Sequence, residues 1–382
     1  MGRCIEMIQI NKVKRQHYVP QFYLKRWVND ISDTQIWIYD KERKKTFSNS
    51  VQSVASSNYF YDFPDVSQEQ MDQMCEKIEE TIKDEVEKTK ALEYITGQLY
   101  EKSLSEIEAI NSEVIKGIIK RVEDVRALPL DYFIKYQFIK IEDIVELSFF
   151  IALQHTRTTE TRIVFEQFTQ QFGKHLADMM IDNIDKVEQD EELKEKLGED
   201  SFKEYIESVK SGKFGKDSFS VSVDEKYTKI QHLRMMFDIA EDIENIIKYY
   251  NWVLCINDSE IPFFTCDNPV VKKANLNNPF YSNGFNSKGI EIYYPISPKY
   301  AICIIEPSYL KEKAPGLIDR TIWNFSKENV IHYNDLIVKN ATSQIYSNKN
   351  EFSWVEKRLI DTPSFGDKSR KRVTFGSIGG GR

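Results

Sequence analysis

The stretch Gln16-His17-Tyr18-Val19-Pro20-Gln21-Phe22-Tyr23-Leu24-Lys25-Arg26-Trp27 constrains this chain more than any other segment. Pro20 fixes its own φ and pushes Val19 away from the helical region, so His17 to Val19 are expected as extended chain, with Pro20 as the first residue of a helix. Tyr23, Leu24 and Trp27 share one face of that helix. Docking that face on a core would hold the helix, and His17 just ahead of it, in a fixed place.

The chain has material for such a core: 382 residues, 41% apolar and 13% aromatic, enough for one large or two ordinary domains. A formal net charge of −8 argues against a broad basic surface that holds nucleic acid by neutralising phosphates. The five cysteines, Cys4, Cys75, Cys255, Cys266 and Cys303, include no CxxC pair and no even-numbered disulfide framework, so they are read as reduced thiols. No apolar run approaches the length of a membrane span, and residues 1–14 are too polar for a signal peptide. The expectation is a soluble, cytoplasmic protein with no membrane partner.

Gln35 to Asp40, the charged turn Lys41 to Lys45 and Thr46-Phe47 read as a hairpin, followed by the aromatic run Tyr59-Phe60-Tyr61, expected to be buried against the opening helix. From Ser67 to about Ala127 apolar residues recur at helical spacing through Met71, Met74, Ile78, Ile82, Val86 and then Ile107 to Val125; Gly97 and Leu128-Pro129-Leu130 punctuate two or three helices. One long helix is expected from Ile141 to Met180. Its apolar stripe through Leu147, Ile151, Phe165 and Phe172 is interrupted by Gln154, Thr158, Thr161 and Arg162, with Arg157 on the shoulder. A buried polar group left unpaired costs roughly 1 to 3 kcal/mol, so this patch either meets partners or lines a cavity.

Residues 182–226 are strongly charged and broken by glycines, an expected surface excursion. Helical spacing returns over Tyr227 to Tyr250. Trp252 to Ile256 with Phe263 to Cys266, and Ile290 to Ile296 with Ala301 to Glu306, read as two β-hairpins. A last helix starts at the N-cap Ser326 and carries Asn334 on its apolar face. Residues 361–382, with Ser369-Arg370-Lys371-Arg372 and a glycine-rich end, are expected as a flexible basic tail. The fold class is α+β, mainly helical, with short antiparallel β-hairpins packed around a shared core. A single domain is expected over 15–348, preceded by an arm at 1–14.

His17-Tyr18-Val19-Pro20 with Leu24, Ile38-Tyr39-Asp40-Lys41, Tyr59-Phe60-Tyr61, Ala152-Leu153-Gln154 with Arg157-Thr158, and Phe264-Thr265-Cys266-Asp267-Asn268-Pro269 occur in the order seen in one family. The chain resembles the family called domain of unknown function 4238, over about residues 15 to 348. Cys266 stands where the family pattern usually has serine, and Thr159 where it usually has proline, so no proline stops the helix there. The resemblance implies one shared fold, a bacterial source, and a link to defence against phage or mobile elements.

Several residues are candidates for chemistry. His17 titrates near working pH and precedes a helix that would fix it, as general base or metal ligand, or it locks the entry turn through a hydrogen bond. Asp267 ends a strand before Asn268-Pro269, the place of a catalytic carboxylate or a Mg or Mn ligand, or of an Asx-turn. Gln154 and Arg157 suit a phosphate or carboxylate, Arg157 by its bidentate fork, or they close a buried network. Asn334 is a positioning amide or a helix-packing one, and Gln21 and Asn268 join the substrate-binding set. Asp40-Lys41-Glu42-Arg43-Lys44 matches a nuclease-like acidic-x-basic string but lies in a turn, so it is read as solvated surface. His155 and His175 are too far apart on one helix to share a metal. No P-loop, HExxH, GxGxxG or GxSxG is present.

These readings converge on an intracellular effector with hydrolytic, nuclease-like activity on nucleic acid or nucleotide. In it His17 is the base, Asp267 the metal ligand or histidine orienter, Arg157 the anion clamp, and Gln154 and Asn334 the positioning amides. The alternatives are a non-catalytic sensor or adaptor whose polar residues form a structural network and whose 182–226 excursion meets a protein partner, and a pocket binding a small anionic ligand or nucleotide without turnover.

Overall fold

The computed structural model describes residues 13–62, 68–96, 98–126, 136–276, 283–313, 315–316 and 318–373. It is 53% helical and 16% strand, an α+β fold dominated by helices. In chain order the elements are β1 (Arg15–His17), α1 (Gln21–Leu24), β2 (Gln35–Asp40), β3 (Lys45–Ser50), β4 (Ser56–Asn58), α2 (Gln68–Thr81), α3 (Glu85–Thr96) and α4 (Gln98–Arg126). The middle of the chain forms α5 (Ile141–Thr156), α6 (Thr159–Asp182), α7 (Ile184–Val187), α8 (Glu191–Leu197), α9 (Glu199–Lys210) and α10 (Glu225–Ile247). There follow β5 (Asn251–Asn257), β6 (Thr265–Cys266), β7 (Val271–Ala274), β8 (Ile290–Pro295), β9 (Tyr300–Ile305), α11 (Pro307–Lys313), β10 (Thr321–Phe325), α12 (Lys327–Asn340), β11 (Gln344–Ser347) and α13 (Ser353–Asp361). The expected breaks at Gly97 and 128–130, the arm up to residue 12 and the tail beyond 373 lie outside the described residues.

Pro20 is the N-cap of the opening helix and not its first residue. Its ψ of 143° leaves it extended, and its carbonyl accepts the amide of Leu24 at 3.0 Å. The helix tightens into a 3-10 turn at Lys25–Trp27, and Tyr23, Leu24 and Trp27 are buried as their shared face requires. Phe60 packs on Tyr18 with ring centroids 5.2 Å apart and Tyr61 is buried, so these two rings of the aromatic run close over this segment while Tyr59 is exposed.

Two sheets organise the rest. The hairpin β2–β3 is extended by β11 and β6, in the order β3-β2-β11-β6. The larger sheet runs β10-β5-β9-β8-β7, with the expected β8–β9 hairpin at its centre and one parallel pair, β10 on β5. The hairpin expected between Trp252–Ile256 and Phe263–Cys266 does not form. β5 pairs with β9 and β10, while β6 pairs with β11 in the other sheet. Asn257 bends the chain away by donating to Ile261 O at 2.7 Å, and Trp27 takes Phe263 O at 3.0 Å. Alternation identifies a strand without naming its neighbour.

The larger sheet is covered on both faces. Trp252, Leu254, Ile256, Ile292, Tyr294, Ile302 and Ile304 pack into one cluster with α1, α4, α5 and α10; Val253, Cys255, Tyr293, Ala301, Cys303 and Ile305 pack into another with α12 and α13. Burial on both faces explains why these strands read as continuous apolar runs.

The single helix expected from Ile141 to Met180 is two helices. Arg157 caps α5 with φ −89° and ψ 6°, and α6 begins at Thr159. No proline is needed because side chains take the terminal carbonyls: Thr156 Oγ1 donates to Leu153 O (3.1 Å), Thr161 Oγ1 to His155 O (2.6 Å), and the His232 ring lies 2.8 Å from Thr156 O. A terminus whose orphan carbonyls are satisfied by hydroxyls and imidazole is a stable stop.

The chain divides into two compact units, one formed by the chain up to Thr161 and from His232 to Arg370, the other by residues 162–231 and the chain from Lys371. The second unit starts about twenty residues before the charged run at 182–226, because it takes in most of α6, which ends at Asp182 where the run begins. Within it α9 buries Phe202 and Ile206, and Phe214 stacks on Phe219 at 5.3 Å. In the first unit, Pro363–Gly366 forms a 3-10 turn and Arg370 donates to Glu160 at 3.2 Å, so this part of the expected flexible tail is hydrogen-bonded. No helix of the described residues is long and apolar enough to cross a membrane.

Candidate functional site

The carbonyl of Tyr18 ties the opening segment to the end of α5. Extended backbone before Pro20 points this carbonyl at the helix, where Gln154 Nε2 donates to it at 2.9 Å and Arg157 Nε at 3.3 Å. Arg157 reaches past it to α4, giving Nη2 to Glu108 Oε1 at 2.9 Å. Around this junction Gln16 holds the 59–62 loop, accepting from Tyr61 N at 2.6 Å and donating to Asp62 at 2.9 Å, and Tyr61 donates its hydroxyl to His17 O at 3.1 Å.

Hydrogen bonding sorts the expected site residues into two groups. In the first group every polar atom is engaged. Asp267 Oδ1 accepts from Thr342 N (2.8 Å), and Oδ2 from Ser343 N (2.7 Å) and Gln344 N (3.0 Å). Asn334 accepts from Phe264 N and donates to Pro262 O, both at 2.8 Å. Asn268 accepts from Thr158 Oγ1 at 3.3 Å and donates to Asn340 O at 3.4 Å. These side chains fasten β6 and the loop after it to α12 and β11. The carboxylate expected to hold Mg or Mn instead accepts three backbone N–H groups, and among the described residues no group of three or more His, Cys, Asp or Glu is placed to hold a metal ion. Burial pushes the Asp267 pKa up to about 6 against the pull of Lys41 and those amides.

Lys41 corrects another expectation. Read from the sequence as part of a solvated turn, it is 2% exposed and donates to Val338 O at 2.9 Å and Ala341 O at 2.6 Å. The end of α12 leaves carbonyls without helical partners, and a lysine amine reaches them from the neighbouring sheet. Burial lowers its pKa to about 8.

In the second group buried polar atoms have no partner: His17 Nε2, Gln154 Oε1 and Arg157 Nη1. Natively buried polar atoms are nearly always hydrogen-bonded, so three such atoms on residues gathered around one carbonyl mark the candidate site. Arg157 is fully buried and remains a cation, because Tyr61 and Glu108 outweigh the burial that opposes its charge. Burial, assisted by Arg157 and Arg15, lowers the His17 pKa against the influence of the Val51 and Gln52 backbone, favouring the neutral imidazole. Gln21, at the start of α1, is half-buried and belongs to neither group. The two groups adjoin at Tyr18, whose carbonyl serves Arg157 and whose phenol is pushed up by burial and then by the Asp267 charge.

Sequence reasoning missed the carboxylates of this site. Glu108 pairs with Arg157, and burial with the Glu108 charge raises the Glu101 pKa to about 7. They lie seven residues apart, two helical turns, on one face of α4. The only signal was that spacing, and α4 carries too many glutamates for it to stand out. The candidate site thus holds a buried guanidinium with one free amino group, a neutral imidazole and a carboxyl group that changes charge near neutrality, groups of the kind that can meet an anion and move a proton.

No curated protein and no solved structure matches this chain. The family model described as Protein of unknown function (DUF4238) matches residues 15–351, which contain both polar groups, and the chain belongs to that family.

Proposed function

We propose that this protein binds a small anionic, phosphate-bearing substrate at Arg157 and hydrolyses it. The observation that carries the reading is the unpartnered Nη1 of a fully buried arginine whose remaining nitrogens are held by Tyr18 and Glu108. Arg157 clamps phosphate oxygens, and Gln154 Oε1 accepts from a hydroxyl or amino group of the substrate. His17 takes a proton from water as the water oxygen adds to phosphorus, and Glu101 gives its proton to the leaving oxygen. The net charge of −8 favours a nucleotide-sized substrate over a long nucleic acid.

The test is a panel of nucleoside mono-, di- and triphosphates incubated with the full chain, following release of phosphate and binding by calorimetry. Turnover by wild type that is lost in His17→Gln and Glu101→Gln, with binding retained, supports the reading. Absence of binding by any member of the panel removes it.

The adaptor reading draws on a different observation, the full engagement of Asp267, Asn334 and Asn268. It assigns those residues to structure and leaves the Arg157 group without a role.

A further inference from the structure

We propose that Arg26 and Tyr294 form a second wall of the Arg157 site, and that this wall makes the site selective for a phosphate group over a carboxylate. The inference rests on the anion-binding reading above and names the chemical class that the site accepts.

Tyr294 comes from β8 and is completely buried. Its ring is held by Tyr23, stacked at 5.1 Å, and by the edge of Phe150 at 6.3 Å. The neighbouring Tyr23 shows what a buried phenol normally does: its hydroxyl lies 2.6 Å from Thr265 Oγ1 and donates to Pro295 O at 2.7 Å. The Tyr294 hydroxyl has no partner, and neither has the buried Nε of Arg26. Two residues on separate elements, each with an unsatisfied buried polar atom, repeat the signature of Arg157 and Gln154.

Electrostatics joins the two sets. Burial disfavours the phenolate of Tyr294, and the groups that pull the other way are Arg157 and Arg26, in that order, with Glu108 opposing them. Arg26, whose charge is opposed by burial, is supported by Tyr294, Tyr23 and Glu113. The geometry agrees: the Tyr294 ring touches both Tyr23, three residues before Arg26, and Phe150 of α5, the helix that Arg157 caps, and its hydroxyl is a buried O–H donor with no partner.

A carboxylate offers two oxygens in one plane and a single charge, which the free Nη1 amino group of Arg157 can meet. A phosphate group offers three oxygens in three directions and up to two charges. Arg157 Nη1, Tyr294 Oη–H and Arg26 Nε–H come from three elements, α5, β8 and the turn after α1, and supply donors of that number. Two arginines also carry the charge that a dianion needs in a site that already holds Glu108.

The test compares inorganic phosphate with acetate by calorimetry on the full chain, for wild type, Tyr294→Phe, Arg26→Gln and Arg157→Gln. The expected result is preferential phosphate binding by wild type and a loss of about tenfold or more in phosphate affinity for Tyr294→Phe, the scale of a hydrogen bond to a charged group. Acetate affinity should be unchanged, and melting should not fall, because the hydroxyl removed has no partner. Arg26→Gln should act in the same direction, and Arg157→Gln should abolish binding of both anions. Equal affinities for phosphate and acetate, or unaltered phosphate affinity in Tyr294→Phe while Arg157→Gln loses binding, would overturn the selectivity wall and leave the Arg157 site standing. Failure of wild type to bind either anion, or undiminished binding by Arg157→Gln, would overturn both.

Discussion

Arg157, with its side chain 1% exposed, is paired at 2.9 Å with Glu108, whose side chain is 24% exposed. The pair joins the end of α5 to α4 across 49 residues of sequence. Removing one partner of such a pair strands a buried charge, at a cost of about 3 to 5 kcal/mol where burial is complete and less where water reaches one side. Glu108→Gln keeps the shape and removes the charge, so a destabilisation of roughly 2 kcal/mol, or a fall in melting temperature of about 4 to 8 °C, is expected. A thermal melt of Glu108→Gln that overlays wild type would show that the pair does not hold the helices together.

Glu101 makes stability depend on pH. Its folded pKa, raised to about 7 from the ordinary 4.5, means that the unfolded chain loses this proton first as pH rises. The contribution is therefore fully present below about 4.5 and is lost as pH rises through about 7. Asp267 acts with the same sign up to about 6, whereas His17, lowered below the ordinary 6.5, acts with the opposite sign. Glu101→Gln isolates one contribution: its melting temperature should decline less than that of wild type between pH 5 and pH 8 (about the span of the raised value). Parallel curves for the two proteins would count against a raised Glu101.

Asp267 is expected to matter for stability and not for ligand binding. In Asp267→Asn one oxygen becomes an NH2 group facing backbone N–H donors, at a cost of about 1 to 3 kcal/mol for each buried group left unpaired. The expected outcome is a melting temperature lower by several degrees with anion affinity intact at a temperature where the variant is folded. Loss of affinity with unchanged melting would place Asp267 in the site after all.

Lys41→Met tests the cap on α12. Methionine approximates the stem but leaves Val338 O and Ala341 O without their donor, and a cost of about 2 kcal/mol is expected from two unpaired carbonyls. Hydrogen exchange should quicken first at the amides near the end of α12. Unchanged exchange there would show that the carbonyls find another partner.

The local sequence was sufficient for the β2–β3 and β8–β9 hairpins, the Ser326 cap on α12, the extended chain ahead of α1 and membership of the family, since each depends on residues close together in sequence or on an ordered series of short motifs. Periodicity also placed Gln154 and Asn334 on buried faces and Arg157 on the shoulder of one, although all three are fully buried. It could not distinguish a satisfied polar group from an unsatisfied one. Asn334 finds its partners 70 and 72 residues away and Asp267 finds its own at 75 to 77, whereas Gln154 Oε1 and Arg157 Nη1 find none. Which sheet β6 joins, why a lysine in a charged turn is buried, and which of several glutamates on α4 meets Arg157 were likewise decided by tertiary packing. Secondary structure follows from neighbours a few residues apart, but the hydrogen bonding and desolvation of a polar side chain depend on whichever distant segment folds against it, and that distinction separates this protein's internal struts from its candidate site.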